Sequence, residues 1–236
     1  MDWSDYDAAL FDLDGVLTPT AEVHMRAWDK MFNAFLSDHG VAEAYTDADY
    51  FDFVDGKPRY DGVRSFLASR GLNLPDGEPT DPTSAETVCG LGNRKNEAFG
   101  QVLADQGVDA FAGSVTLLDQ LAGRGTKIAV VSSSRNARAV LTASGLADRF
   151  EVVIDGEVAA AADLAGKPSP ATFVEAARRL GVPPERAVVF EDATSGVKAG
   201  HDGAFGLVVG VDRGAGEQAL RSAGADVVVR ELDELS

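Results

Sequence analysis

Asp12 and Asp14 stand one residue apart, directly after the apolar run Ala8–Phe11, and Gly15 follows them. The run reads as a short buried strand. Side chains alternate along a strand, so the two carboxylates would share a face if it continued. Gly15 frees the backbone to turn, and the strand is expected to end here. Two acids at the end of a buried strand are costly unless something positive neutralises them. A divalent cation does so, and Mg²⁺ takes such oxygen ligands. On these residues alone, an Asp-rich turn after an edge strand explains the pattern equally well.

Three further polar clusters fall at the ends of predicted strands or just past them: Ser132, Lys167 and the pair Glu191–Asp192. Ligands of open parallel sheets bind at that edge, where the strand order reverses. The four clusters together suit phosphoryl transfer. One carboxylate can be the nucleophile and a second can move the proton. A hydroxyl, backbone N–H groups and an ammonium can hold the other phosphate oxygens. Further carboxylates can hold a metal ion that offsets repulsion between nucleophile and phosphate.

The elements that must position these groups follow from periodicity. Residues 21–36 have a helical stripe through Val23, Ala27, Met31 and Phe35, with Thr20 placed to cap it. Residues 47–55 predict a short helix docked on the first. Residues 60–69 predict a helix with Val63, Phe66 and Leu67 inward, and 94–107 another through Phe99, Val102 and Leu103. Residues 71–87 hold glycine and several prolines and read as a long loop with room to move. From Ser114 onward, helical stretches alternate with the apolar runs 127–131, 152–154, 187–190, 207–211 and 227–229. Such runs indicate a parallel sheet covered on both faces. The alanine-rich stretch 158–165 is too short to count as low complexity. The expected class is α/β: a doubly wound, mostly parallel sheet core over 1–17 and 104–236, with a helical domain inserted over 18–103.

The inserted segment carries its own polar groups. His24 and Trp28 sit four apart on one helix face; His24 reads equally as a half-buried helix histidine. Lys57 and Arg59 interrupt an acidic neighbourhood and read equally as a solvated face. Arg94-Lys95-Asn96 is another local cationic spot.

With 236 residues, 45% of them hydrophobic, the chain can build a sizeable core. A formal net charge of -17 argues against nucleic acid or an anionic membrane as partner. It also means that any phosphate site needs local cations. The sole cysteine, Cys89, excludes an internal disulfide framework. The start Met1-Asp2-Trp3-Ser4-Asp5 lacks the basic and apolar regions of a signal peptide, and no stretch is apolar enough to span a membrane. A cytoplasmic, monomeric protein of a reducing compartment is expected.

In order along the chain, Asp12-Leu13-Asp14-Gly15, Ser132, Lys167-Pro168 and Glu191-Asp192 with Gly196 make the sequence similar to the haloacid dehalogenase (HAD) superfamily of phosphotransferases over nearly its whole length. The resemblance implies that Asp12 forms a phospho-enzyme and Asp14 acts as acid and base. It implies that Ser132 and Lys167 hold the transferring phosphate. It implies Mg²⁺ held by Asp12, the backbone carbonyl of Asp14, Asp192, and Glu191 directly or through water. The inserted helices become a cap, with the site where cap meets core. Within the superfamily the chain most resembles the β-phosphoglucomutase group. His24 to Trp28 resembles that group's cap start, which implies that His24 and Trp28 face the substrate. Gly56-Lys57-Pro58-Arg59 matches its Gly-x-x-Arg, which binds the distal phosphate. Lys95 and Asn96 resemble its sugar-facing pair, and Ser133, Arg135 and Asn136 its core loop, with arginine where lysine is common. The long loop around Pro75–Thr87 departs from the pattern and bears on the substrate. The implied reaction is interconversion of hexose 1- and 6-phosphates, a small phosphorylated sugar being the partner. The runner-up is a phosphatase acting on a small sugar phosphate. A non-catalytic protein of the same fold has no need of these acidic motifs.

Overall fold

The structure, a computed structural model, describes residues 3–235. Met1 and Asp2, part of the start read above as unlike a signal peptide, lie outside them. A short 3₁₀ turn, Trp3–Asp5, seats Trp3 near the ring of Phe190, centroids 6.3 Å apart. β1 (Ala8–Phe11) follows. Next come α1 (Thr20–Asp38), α2 (Asp47–Asp49) running into a π-turn (Tyr50–Val54), α3 (Arg59–Ser69) and α4 (Val88–Gln106). The remainder alternates: α5 (Ala112–Arg124), β2 (Lys127–Val131), α6 (Ala137–Ala143), β3 (Val152–Ile154), α7 (Gly156–Ala161), α8 (Ala171–Leu180), β4 (Ala187–Glu191), α9 (Thr194–Asp202), β5 (Leu207–Val211), α10 (Glu217–Ala223) and β6 (Val227–Val229). The chain forms two compact units, Thr20–Gly107 and Met1–Pro19 with Val108–Ser236. The helical unit therefore ends later than 103, because α4 continues to Gln106. Gly107 stops it at φ 65°, its N–H donating to the Leu103 carbonyl.

The six strands of the α/β unit lie in the order β3-β2-β1-β4-β5-β6, and every pairing is parallel. The chain steps outward from β1 to β3, then returns past β1 to lay down β4 to β6. The order thus reverses between β1 and β4, where Phe11 and Phe190 are register partners with rings stacked 4.5 Å apart. Both strands are buried throughout, which is why they read as continuous apolar runs. α8 buries Phe173, Ala176, Ala177 and Leu180, a helical stripe, against Leu10, Val131 and Val189. α7 begins just before the alanine-rich stretch and runs into it, a helix that periodicity did not separate. Asp155 caps it, accepting from the N–H groups of Glu157 and Val158 at 3.0 and 2.8 Å.

The helical unit has its own aromatic core. α1 buries Ala27, Trp28, Met31, Phe32, Phe35 and Leu36, a wider stripe than expected; Val23 is only half-buried and Thr20 is already helical. The segment 47–54 packs on α3 rather than chiefly on α1. A Cβ at Gly62 would stand 3.3 Å from Val54 Cγ1, so the missing side chain permits the approach. α4 starts at Val88, earlier than the expected 94. Thr87 caps it, accepting from Gly90 N–H at 2.9 Å. The first turns hold Gly90 and Gly92, and packing requires both. A Cβ at Gly90 would lie 2.3 Å from the Ala85 carbonyl, and one at Gly92 2.8 Å from the Tyr60 ring. The stretch 71–87 lacks helix and strand, as expected, yet it is tied down. Arg64 holds Asp76 at 2.7 Å, and Thr87 Oγ1 donates to Asp81 at 2.6 Å.

Asp49 closes a capping box with Thr46 and accepts from Arg70 Nη2 with both oxygens, at 2.9 and 2.8 Å. Arg70 also lies 4.9 Å over the Phe66 ring. The side chains of Arg70 and Asp49 are 11% and 8% exposed, so removing one strands the other. Asp49→Ala should destabilise the helical unit by about 3 kcal/mol, read as a fall in the urea midpoint by tryptophan fluorescence, since Trp28 lies in that core.

Candidate active site

Asp12 extends the β1–β4 pairing by one residue, its N–H donating to the Phe190 carbonyl at 2.9 Å. The chain then turns: Gly15 N–H reaches the Thr18 carbonyl at 2.7 Å and Thr18 N–H the Leu13 carbonyl at 3.0 Å. Gly15 sits at φ 87°, a region that favours glycine. The loop is fastened from behind by Ser114 Oγ, which donates to the Val16 carbonyl at 2.7 Å.

Lys167 is the hub. Its ammonium contacts Asp12 and Glu191, donates to the Val131 carbonyl at 2.9 Å, and lies 5.0 Å from the Phe173 ring centre. It joins the ends of β1, β2 and β4. Asp12, Glu191 and Asp192 each bring a carboxylate oxygen within 4.8 Å of the others. All three carboxylates ionised against one ammonium leave two negative charges in a site where Lys167 is 3% exposed and Glu191 1%. Hard oxygens with that excess fit a divalent cation. The backbone keeps room for them. A Cβ at Gly15 would fall 1.8 Å from Asp192 Oδ2, and one at Gly196 2.0 Å from Glu191 Oε1.

Ser132 is buried at the end of β2; its Oγ lies 3.5 Å from Asp14 Oδ2 and accepts from Ser134 N–H at 3.1 Å. Ser134 Oγ accepts in turn from Asn136 N–H at 3.1 Å. These two side chain–backbone bonds shape the loop that carries Ser133, Arg135 and Asn136. Gly156 backs that loop: a Cβ there would stand 2.7 Å from the Ser133 carbonyl. Asp12, Asp14, Ser132, Lys167, Glu191 and Asp192 are thus gathered at one sheet edge.

In the helical unit, His24 and Lys95 are hydrogen-bonded through Nδ1 and Nζ. His24 stacks on Phe99, centroids 4.0 Å apart, and Lys95 Nζ lies 5.0 Å from the ring centres of both Trp28 and Phe99. Trp28, read above among the substrate-facing residues, is 4% exposed and stacks on Phe32. The structure corrects that placement: its ring belongs to the core and serves as a floor for Lys95. Arg59 Nη2 donates to the Tyr60 hydroxyl at 3.3 Å, and Asn96 follows Lys95 on α4, half-buried.

Sequence reading missed Arg213. Its Nε donates to the Gly15 carbonyl at 2.9 Å, its guanidinium pairs with both oxygens of Glu231 at 2.7 and 3.1 Å, and it stacks 4.0 Å over Phe111. The available signal was a basic residue just past β5, at the same sheet edge.

Residues 6–203 match the family model described as haloacid dehalogenase-like hydrolase. The chain belongs to the haloacid dehalogenase-like hydrolases. It is 51% identical over 238 residues to a β-phosphoglucomutase of Mycobacterium bovis, covering 97% of this chain and 90% of that one. It is 33% identical to a β-phosphoglucomutase of Bacillus subtilis, covering 97% and 91%. A crystal structure of β-phosphoglucomutase from Clostridium difficile superposes with a TM-score of 0.79 at 25% identity, over 98% of this chain and 93% of that one. The chain is accordingly a phosphotransferase of the haloacid dehalogenase type, with the acidic cluster of its family at the sheet edge. No helix among the described residues is long and apolar enough to cross a membrane.

Burial pushes the Asp12 carboxyl up and the Glu191 carboxyl up to about 8, while Lys167 opposes both. The Asp12 and Glu191 carboxyls hold the Lys167 ammonium charged against its own burial. The metal-free site therefore keeps a carboxyl proton at neutral pH that a cation must displace. Divalent-cation affinity should rise between pH 6 and 8, with proton release that shrinks toward pH 8. Calorimetric titration in two buffers of different ionisation enthalpy reads both effects. Gly15→Ala should weaken the same binding at least about tenfold, because the new methyl group displaces Asp192.

Proposed function

We propose that this chain is a β-phosphoglucomutase, interconverting a hexose 1-phosphate and the 6-phosphate through an aspartyl-phosphate on Asp12. Likeness to β-phosphoglucomutases along nearly the whole of both chains carries the choice of reaction. The contact of Lys167 with Asp12 and Glu191 supports the chemistry. Lys167 favours the ionised form of Asp12 despite its burial. An Asp12 oxygen attacks one phosphorus of the hexose bisphosphate, the bond from phosphorus to the sugar oxygen breaks to release a monophosphate, and Asp14 gives that oxygen its proton. In the second half, Asp14 takes the proton of the free hydroxyl of a hexose monophosphate, the step that forms the bisphosphate. That oxygen attacks phosphorus, and the bond to Asp12 breaks. Ser132 Oγ and the Lys167 ammonium hold the equatorial oxygens.

Mg²⁺ is the cation assigned to Asp12, Glu191, Asp192 and the Asp14 carbonyl, and when bound it offsets the repulsion between Asp12 and the incoming phosphate. Arg59 grips the second phosphate of the bisphosphate intermediate, bidentately as guanidinium can. His24, Lys95 and Asn96 contact the sugar, as do Ser133, Arg135 and Asn136. We place the enzyme in the cytoplasm as a monomer. The single cysteine fits a reducing compartment, and among the described residues Val174, at 38%, is the exposed large hydrophobic side chain.

The test is to incubate the protein with Mg²⁺, β-glucose 1-phosphate and a trace of glucose 1,6-bisphosphate, and to follow products by ³¹P NMR. Glucose 6-phosphate should appear well ahead of inorganic phosphate. Inorganic phosphate alone, across several sugar phosphates, would make the chain a phosphatase instead. Asp12→Asn should abolish turnover with the fold retained by circular dichroism. Lys167→Ala should lower kcat by roughly a hundredfold or more, and EDTA should stop the wild-type reaction.

A further inference from the structure

The loop Pro75–Thr87, where the chain departs from the pattern of its group, is wired to Arg59. Asn93 Nδ2 donates to the carbonyls of Pro79 at 3.1 Å and Asp81 at 2.9 Å. The next residue, Arg94, donates from Nε to the Thr83 carbonyl at 2.8 Å. The loop is thus docked on the turn of α4 immediately before Lys95 and Asn96. At its start, Val88 N–H and Cys89 N–H reach the carbonyls of Pro75 and Asp76 at 2.9 and 3.0 Å.

A carbonyl can only accept, so the two loop carbonyls fix which end of the Asn93 amide faces them. The other end, Oδ1, accepts from the Tyr60 hydroxyl at 2.9 Å. Tyr60 has one proton and commits it to Asn93, which leaves its lone pairs for Arg59 Nη2 at 3.3 Å. The Arg59 guanidinium also lies 5.0 Å from the Tyr60 ring centre, and its Nε is buried with no hydrogen-bond partner. Gly92 holds the stack close: a Cβ there would stand 2.8 Å from the Tyr60 ring and 3.2 Å from Arg59 Cγ. The direction of every bond in the relay follows from the backbone of the loop.

We propose that Tyr60 and Asn93 are positioning residues for Arg59, anchored by loop residues 79–83. Through them the loop sets the grip on the second phosphate and so the preference for a bisphosphate. This rests on the reading above that Arg59 holds that phosphate. Tyr60→Phe removes the hydroxyl and keeps the ring. Asn93→Asp keeps an acceptor for Tyr60 and removes both donors to the loop.

The experiment measures apparent KM for glucose 1,6-bisphosphate and kcat of isomerisation for wild type, Tyr60→Phe, Asn93→Asp, Arg59→Ala and the double variant Arg59→Ala/Tyr60→Phe, with Tm alongside. Arg59→Ala should raise KM the most. Tyr60→Phe and Asn93→Asp should each raise it about five- to tenfold, the loss of one hydrogen bond's contribution, with kcat and Tm little changed. Tyr60→Phe should add nothing in the Arg59→Ala background, because it acts through that residue. Wild-type KM in both Tyr60→Phe and Asn93→Asp, or an equal Tyr60→Phe effect with and without Arg59, overturns the relay while leaving Arg59 as the phosphate ligand. Wild-type KM in Arg59→Ala removes the second-phosphate role itself, and the relay with it.

Discussion

Lys167 stands with Asp12 and Glu191 where the parallel sheet reverses its order, and most of the α/β unit is arranged to make that contact possible. Desolvating a carboxylate is expensive, and mutual attraction repays it only when geometry and hydrogen bonding are nearly complete. Here the ammonium has two carboxylates and the Val131 carbonyl as partners. Each group comes from a different strand end or the loop beyond one, so the contact exists only once β1, β2 and β4 are in register. The same crowding dictates the glycines. Gly15 and Gly196 leave space that Asp192 and Glu191 occupy, and a methyl group at either would overlap a carboxylate oxygen.

The helical unit houses its buried ammonium by other means. Lys95, 3% exposed, meets the faces of Trp28 and Phe99 and the imidazole of His24. Aromatic faces attract a cation through the ring quadrupole. Lys167 contacts two carboxylates and Lys95 lies over two aromatic rings, at similar burial. In a chain with a formal charge of -17, two cations of the helical unit lie against aromatic side chains: Arg59 on Tyr60, Lys95 on Trp28 and Phe99.

Arg213 shows how a residue far along the chain supports the motif loop. It binds the Gly15 carbonyl, the Glu231 carboxylate and the Phe111 ring at once, joining four parts of the α/β unit. Phe111 N–H also donates to the Leu17 carbonyl at 2.9 Å, so the loop after β1 is held along most of its length.

The strands were legible in the sequence because a strand buried on both faces is a run of apolar residues, and 8–11, 127–131 and 207–211 are such runs. The placement of the four polar clusters followed from those runs, since a parallel sheet aligns the strand ends. The helices α3 and α8 were legible from period, and the early start of α4 was not, because Gly90 and Gly92 weaken the helical pattern there while packing, against Ala85 and against the distant Tyr60, requires them. Sequence alone determined which groups stand at the strand ends, carboxylates, a lysine and a serine, a set that suits phosphoryl transfer. Tertiary structure alone decided which groups touch. Trp28 went to the core, Arg213 to the motif loop, and Tyr60 and Asn93 into a relay from the loop 79–83 to Arg59. Those outcomes depend on contacts between residues far apart in the chain, and no local periodicity encodes them.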